Sequence, residues 1–296
     1  TTFPSLSLLF LKQKPSFVTF FVTWRCNSRC VMCDVWKKQE KNALNLEEIE
    51  KIFKDLKGLD AIRISGGEPF LRSDLAEIIN IIDRTASPNL IHITSNGFLT
   101  DKIIADVLKI KSPEKLHIKI SIDGLEERHD KVRGVAGAYQ NAMNTIKELA
   151  ELRKSKKFYL GVNQTIVGPE GMRDYFELSC ILKSFGVMVH PVLAYTNTTA
   201  LYGVEDSVKT KPSFSLYGNF DKKELAEFIK KLIKETGSFG DFKEALTKKY
   251  YLKGLYNRVI KNKDKPKPAC TALKSHLRIL PNGDVPICLY NSIIVG

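Results

Sequence analysis

Three cysteines fall within eight residues, Cys26-Asn-Ser-Arg-Cys30-Val-Met-Cys33, and Asp34-Val-Trp36 follows them. Three thiols cannot fill a four-coordinate structural site by themselves. A metal held here therefore keeps one position open, and an open position is where chemistry takes place. The spacing Cys-x3-Cys-x2-Cys departs from the paired cysteines of zinc ribbons and from bacterial ferredoxin runs, which supply a fourth cysteine nearby. Three thiolates on one loop suit three corners of a cubane [4Fe–4S] cluster, with the fourth iron left for a small ligand. A zinc loop completed by a distant residue is the alternative that the cysteines alone leave open.

The elements that must position this loop alternate regularly between Phe17 and Gly186. Phe17–Thr23 reads as a strand, and the cysteines follow it. A helix opens at Asn45, with Glu48 three residues on as a capping box, and its apolar residues Leu46, Ile49, Ile52, Phe53 and Leu56 recur at helical period until Gly58. Ala61–Ser65 is a second strand, and Ser73 is placed to cap the next helix, which carries Leu75, Ile78, Ile79 and Ile82. Leu90–Ser95, Leu116–Ile122, Phe158–Val167 and Val187–Ala194 supply four more strands. Helices from Thr100, over Tyr139–Leu152 and over about Asp174–Lys183 lie between them. Six β-then-α units predict an α/β fold with a parallel sheet and helices packed outside. An open doubly wound sheet and a barrel both fit. In either, Cys26–Cys33, Gly66–Pro69, Ser95–Gly97 and Ser121–Gly124 fall just after strands and gather at one rim, the C-terminal face.

Composition narrows the class. The chain has 296 residues, 43% hydrophobic and 27% charged, and its apolar runs are of strand length rather than membrane length. Thr1–Leu11 is apolar but has no basic leader or small-residue cleavage site, against a secretory signal. Six cysteines, three in one loop, read as ligands in a reducing, cytoplasmic compartment rather than as a disulfide framework. The net charge of +13 is uneven, with eleven Lys or Arg against Glu244 and Asp264 between Lys243 and Arg278. That stretch reads as a solvated helical face or a dock for an acidic partner. No RNA-binding or helix-turn-helix signature accompanies it, and nucleic acid is not expected.

Cys26, Cys30 and Cys33 together with Ser65-Gly66-Gly67-Glu68-Pro69 resemble the radical S-adenosylmethionine (radical SAM) enzymes. The resemblance implies a six-unit partial (β/α) barrel of TIM type and a [4Fe–4S] cluster whose free iron takes the amino and carboxylate groups of S-adenosylmethionine. It implies a 5′-deoxyadenosyl radical that removes hydrogen from a substrate. It also implies that Gly66, Gly67 and Glu68 contact the methionyl ammonium, and that Ser95, Asn96, Ser121 and Asp123 lie near the ribose. Arg133, in His129-Asp-Lys-Val-Arg133-Gly134, matches a stretch that sends an arginine to the cofactor carboxylate. The residue before Cys33, often aromatic in the family, is Met32 here, a flexible thioether able to make the same apolar contact.

After Ala194 the pattern changes. Tyr195–Phe220 is polar and aperiodic, helices follow from Asp221 and over Phe242–Ile260, and Lys261–Pro268 is a charged linker. Leu277–Leu280 and Val285–Leu289 flank Pro281-Asn282-Gly283-Asp284, a hairpin signal. With Cys270 and Cys288 around it, this stretch resembles the opening of the SPASM or twitch extension, which holds auxiliary [4Fe–4S] clusters. The remainder of that pattern needs several more cysteines, so an auxiliary cluster is expected to be incomplete within these residues. The division expected is an N-terminal extension over 1–16, the barrel over 17–220, and C-terminal helices with the auxiliary hairpin over 221–296. Cys180, beside Leu178 and Ile181, is expected as a buried thiol, and His92 and His117 as satisfied core histidines. His190 alternates with Val187 and Val189 and is placed to face the barrel interior.

The partners implied are a substrate and a reductant such as ferredoxin or flavodoxin. The substrate expected is a peptide or protein side chain, with a separate recognition protein in that case, or else a sugar or other small molecule. An iron–sulfur electron-transfer protein and a zinc-binding module are the non-enzymatic rivals.

Overall fold

The computed structural model describes residues 14–195, 216, 218–236, 242–263, 265, 270–288 and 291–296. The expectations for residues 1–13, most of the polar segment 195–220 and half of the linker 261–268 lie outside the described residues.

Seven strands form one parallel sheet: β1 (Phe17–Thr23), β2 (Ala61–Gly66), β3 (Leu90–Ser95), β4 (Leu116–Ser121), β5 (Tyr159–Ile166), β6 (Met188–Leu193) and β7 (His276–Ile279). Their order is β6-β5-β4-β3-β2-β1-β7. The intervening helices are α1 (Leu46–Lys54), α2 (Leu75–Ala86), α3 (Thr100–Lys109), α4 (Glu126–Arg133), α5 (Ala138–Leu152) and α6 (Pro169–Lys183), and α7 (Lys222–Glu235) and α8 (Phe242–Val259) follow β6. The sheet curls into an open partial barrel, so that β2 to β6 line one cavity on their inner faces.

Parallel strands buried on both faces usually read as unbroken apolar runs. These instead alternate. Val18, Phe20, Ile62, Ile64, Ile91, Ile93, Ile118, Ile120 and Val162 point outward and are buried in the core beneath the helices. Each such residue contributes roughly 1.5–3 kcal/mol. The positions between them, including Arg63, His92, Lys119 and Asn163, face the cavity.

Local chemistry explains the element boundaries. The Asn45 side chain accepts from Glu48 N at 3.0 Å, and the Glu48 carboxylate accepts from Asn45 N at 2.9 Å, closing the expected capping box at the start of α1. Ser73 does not cap α2. Asp74 stands at the N-cap, and its carboxylate is taken by Arg72 at 2.8 Å rather than by helix N–H groups. Helix α6 starts at Pro169, earlier than its apolar stripe suggests, because a proline at the first helical position gives up only an N–H that would go unpaired. Helix α4 was not expected. Its sequence, EERHDKVR, carries almost no apolar residue, and Gly134 closes it in the left-handed region at φ 64°.

The C-terminal hairpin is a correction. Asn282-Gly283 does turn the chain, with Leu280 N bonded to Asp284 O at 2.8 Å, but the flanking strands part company. Strand β7 runs parallel to β1, Phe17 facing His276 and Phe20 facing Ile279, and covers an edge that would otherwise expose a row of N–H and C=O groups. The hairpin is instead β8 (Pro286–Cys288) with β9 (Asn291–Ile294). Cys180 is also a correction. It is exposed, because the buried stripe of α6 runs through Met172, Tyr175, Leu178 and Leu182 and passes it by.

Candidate functional site

The loop after β1 is stitched down on two sides. Gly67 N donates to Thr23 O and Glu68 N to Arg25 O, both at 2.8 Å. On the other side, Arg29 N donates to Arg133 O at 2.8 Å, Val31 N to Val132 O at 2.9 Å, and Ser28 Oγ to Arg133 O at 3.1 Å. The glycines make the first seam possible. A Cβ on Gly66 would stand 2.2 Å from Thr23 O, and one on Gly67 would stand 2.1 Å from Arg25 O. Their close backbone approach is thus to the cysteine loop itself. A third brace is Glu40, whose carboxylate accepts from Trp24 N at 2.7 Å and from the Thr23 hydroxyl.

Cys26, Cys30 and Cys33 line a cavity of about 490 Å³, which Met32, Gly66, Gly67, Glu68, Ser95, Asn96, Ser121 and Arg133 also reach. Burial pushes the Cys26 thiol up to about 12 and the Cys33 thiol up to about 11. Thiolate ligation must therefore displace protons here, the usual coupling of metal binding to thiol ionisation. Among the described residues no three His, Cys, Asp or Glu side chains converge closely enough to hold a single metal ion. The three thiols do line the same cavity, as a group held by all three requires.

Glu68 is buried, and its carboxylate is nearly saturated. Oε1 accepts from Phe70 N at 3.1 Å and from Ser95 Oγ at 2.9 Å; Oε2 accepts from Asn96 N at 2.7 Å. Burial outweighs these three donors and raises its carboxyl to about 7. Ser95 is committed to this brace and also accepts from Gly97 N at 3.0 Å. The Asn96 amide donates to Asn27 Oδ1 at 2.7 Å, tying the third strand's loop to the cysteine loop.

Arg133 reaches the cavity from the end of α4, with Nη1 donating to Cys30 Sγ at 3.6 Å and Nε 2.7 Å from Asp123 Oδ2. Burial alone would lower the guanidinium, but Asp123 and the Cys30 sulfur hold it up, so it stays a cation. Asp123 does not line the cavity. Its Oδ1 accepts from Thr165 N at 2.8 Å, and its backbone N–H donates to His129 Nδ1 at 2.9 Å. Burial, with help from Arg133, pushes His129 down to about 4, so the imidazole is neutral with its proton on Nε2.

Cys270 is exposed and Cys288 half-buried, and neither lines this cavity. The inner wall, by contrast, holds residues that motif reading passed over. Arg63, His92, Thr94, Lys119 and Asn163 all line it, beside His190, which the strand alternation had placed facing the interior. His92 is not a satisfied core histidine, since both ring nitrogens are buried without a partner among the described residues. His117 stacks on Tyr159, with ring centroids 4.6 Å apart, and His190 bonds Tyr159 Oη at 2.7 Å. The signal was available in the alternation R-I-S, H-I-T and H-I-K-I-S, polar at every second position of strands that a parallel sheet would otherwise make wholly apolar.

An open parallel barrel with three thiols and a buried glutamate at its C-terminal rim defines a class of cofactor-dependent enzyme. Residues 21–176, more than half of the chain, match the Radical SAM superfamily, and the chain belongs to it. It is 34% identical over 152 residues to the Fe-coproporphyrin III synthase of Methanosarcina barkeri, covering 50% of this chain and 37% of that protein. It is 32% identical over 148 residues to the GTP 3′,8-cyclase of Campylobacter jejuni, covering 47% and 45%. The chain thus spans less than half the length of these relatives. Streptococcus suis SuiB bound to its precursor peptide SuiA shares the fold at a TM-score of 0.64 and 16% identity, over 93% of this chain and 60% of that one.

Proposed function

We propose that Cys26, Cys30 and Cys33 hold a [4Fe–4S] cluster with one open iron, at which S-adenosylmethionine is cleaved so that hydrogen is removed from a substrate in the barrel. The observation that carries this is the single cavity lined by three thiols, Glu68 and Arg133. When bound, the cluster supplies one electron to the sulfonium, giving methionine and a 5′-deoxyadenosyl radical that leaves as 5′-deoxyadenosine after taking one hydrogen atom.

The chain's own residues bind and orient. A carboxylate offers about four acceptor sites, and Glu68 has three filled, so one remains for the methionyl ammonium. Arg133, fixed by Asp123 and touching Cys30, keeps N–H groups for the methionyl carboxylate. Ser121 and Asn96 lie at the rim for the ribose, and Met32 for the adenine. Ser95 and Asp123 are better assigned to bracing Glu68 and Arg133 than to direct contact. Gly66 and Gly67 act by holding the cysteine loop.

A peptide or protein side chain is the substrate expected from the sequence. Its support is the fold shared with SuiB, solved with a precursor peptide, together with a sheet whose edge strands β6 and β7 do not pair with each other among the described residues. A small-molecule substrate is favoured by the names of the more similar relatives. Membership of the SPASM or twitch branch and an auxiliary cluster at Cys270 and Cys288 rest on those two cysteines and the Asn282-Gly283 turn. A ferredoxin or flavodoxin as electron donor follows from the single electron required. A reducing, cytoplasmic setting is supported by six free thiols. Among the described residues no helix is long and apolar enough to cross a membrane.

The test is anaerobic. Protein reconstituted with iron and sulfide should be brown and should release 5′-deoxyadenosine when reduced with S-adenosylmethionine, and Cys30→Ala should abolish that release. Substantial release by Cys30→Ala defeats the assignment.

A further inference from the structure

Beneath the rim, strand register lays one continuous row of residues across the inner sheet. Thr19 of β1 faces both Arg278 of β7 and Arg63 of β2. Arg63 faces His92, His92 faces His117, and His117 faces Tyr159. In the next row Lys119 stands opposite Gly161, which adds no side chain beside it. Arg278 leans on His276 at 3.3 Å, next to Thr19, which bonds the same imidazole at 2.9 Å. Among the described residues, Arg63 and Lys119 place two cations on the cavity's inner wall. Among the described residues lining the cavity, Glu68 is the only carboxylate, and it is buried at the rim with three donors on it.

Burial, reinforced by Arg63 and Lys119, pushes His92 down to about 3, and burial with Lys119 does the same to His190. His92 also keeps two buried ring nitrogens without a partner among the described residues. A buried donor without an acceptor is costly, and a wall that gathers cations with one waits for an acceptor-rich, negatively charged guest.

We infer that this wall binds a compact polyanionic substrate, its carboxylates or phosphates set against Arg63 and Lys119 with His92 as a further donor. The inference rests on the reaction proposed above and names the substrate class for that same site. Carboxylate and phosphate present the same chemistry to these donors, fixed charge and acceptor oxygens.

The experiment is calorimetry on anaerobically reconstituted, cluster-bearing protein with S-adenosylmethionine present. Tripolyphosphate and tricarballylate serve as probes, and tetraglutamate stands for an acidic peptide. At least one of the two compact probes should bind, more weakly as salt rises, and the preferred one tells phosphate from carboxylate. Lys119→Gln and Arg63→Gln should each weaken it about tenfold or more, the effect of one charge-assisted hydrogen bond, whereas Lys119→Arg should stay within about threefold. Lys154→Gln, at an exposed lysine paired with Glu151, controls for general attraction to a basic protein. Binding of neither compact probe, equal loss in Lys154→Gln, or tighter binding of tetraglutamate overturns the inference. Protein that releases 5′-deoxyadenosine without binding either compact probe refutes the wall alone. Protein that binds one and never releases 5′-deoxyadenosine refutes the reaction alone.

Discussion

Gly67→Ala tests how the cysteine loop is held. A Cβ there would stand 2.1 Å from Arg25 O, 2.6 Å from Arg25 C and 2.7 Å from Trp24 O. All three are backbone atoms, so no side chain can swing aside, and the loop must retreat by about 1 Å to reach van der Waals distance. That retreat breaks the Glu68 N to Arg25 O and Gly67 N to Thr23 O bonds, each 2.8 Å now. Two net hydrogen bonds at about 1 kcal/mol each and overpacking of about 1–3 kcal/mol total on the order of 3–5 kcal/mol. For a chain of this size that lowers the Tm by about 5–8 °C. Gly58→Ala is the comparison. Gly58 has φ +80° with nothing within 4 Å of a Cβ, so the change costs about 1–2 kcal/mol of left-handed backbone strain and leaves the loop in place. The assay is iron and sulfide per chain after anaerobic reconstitution, with a thermal melt. Gly67→Ala should lose most of its iron and melt well below wild type, while Gly58→Ala keeps its iron. Wild-type iron content and a Tm within about 2 °C for Gly67→Ala would refute the argument.

Three further outcomes follow from the buried groups. Glu68→Gln places an amide N–H₂ against three N–H and O–H donors and should cost about 1–3 kcal/mol. Because burial raises the Glu68 carboxyl above its ordinary value to about 7, its contribution to stability is full below the ordinary carboxylate range and is lost as pH climbs through 7. The Tm gap between wild type and Glu68→Gln should therefore narrow from pH 5 to pH 7.5, and a widening gap contradicts the burial account. Arg133→Met strands the buried Asp123 charge and should cost about 3–5 kcal/mol in urea unfolding, a good part of it recovered by adding Asp123→Asn. In iron-free protein at pH 8, iodoacetamide mapped by mass spectrometry should modify exposed Cys180 and Cys270 well before Cys26 and Cys33, whose thiols burial holds protonated; equal rates contradict that.

Much of the scaffold was legible because helices and strands here obey local rules. Phe17–Thr23, Leu90–Ser95 and the capping box at Asn45 follow from β-branched runs and side-chain geometry that need no distant partner. What escaped depends on contacts far apart in sequence. His276–Ile279 reads as half of a hairpin until one sees β1, more than 250 residues away, with an edge to cover. Helix α4 lacks an apolar stripe because its work lies at its end, where Val132 and Arg133 offer carbonyls to Arg29, Val31 and Ser28. At the site, spacing singled out Cys26, Cys30 and Cys33, and the family resemblance added Glu68 and Arg133. It did not distinguish residues at the cavity surface from braces behind it, such as Asp123, since both follow strands in glycine-containing turns. The inner wall with Arg63 and Lys119 is written as plain alternation, visible only once the strands are known to curl around a shared space.

The central claim is that the three-thiol cluster leaves one iron open to the methionyl group of S-adenosylmethionine. Electron paramagnetic resonance of the reduced, reconstituted protein before and after adding S-adenosylmethionine addresses it most directly. The account predicts a clear change in g-values and line shape on addition. An unchanged spectrum, as from a cluster sealed by a fourth protein ligand, would contradict it.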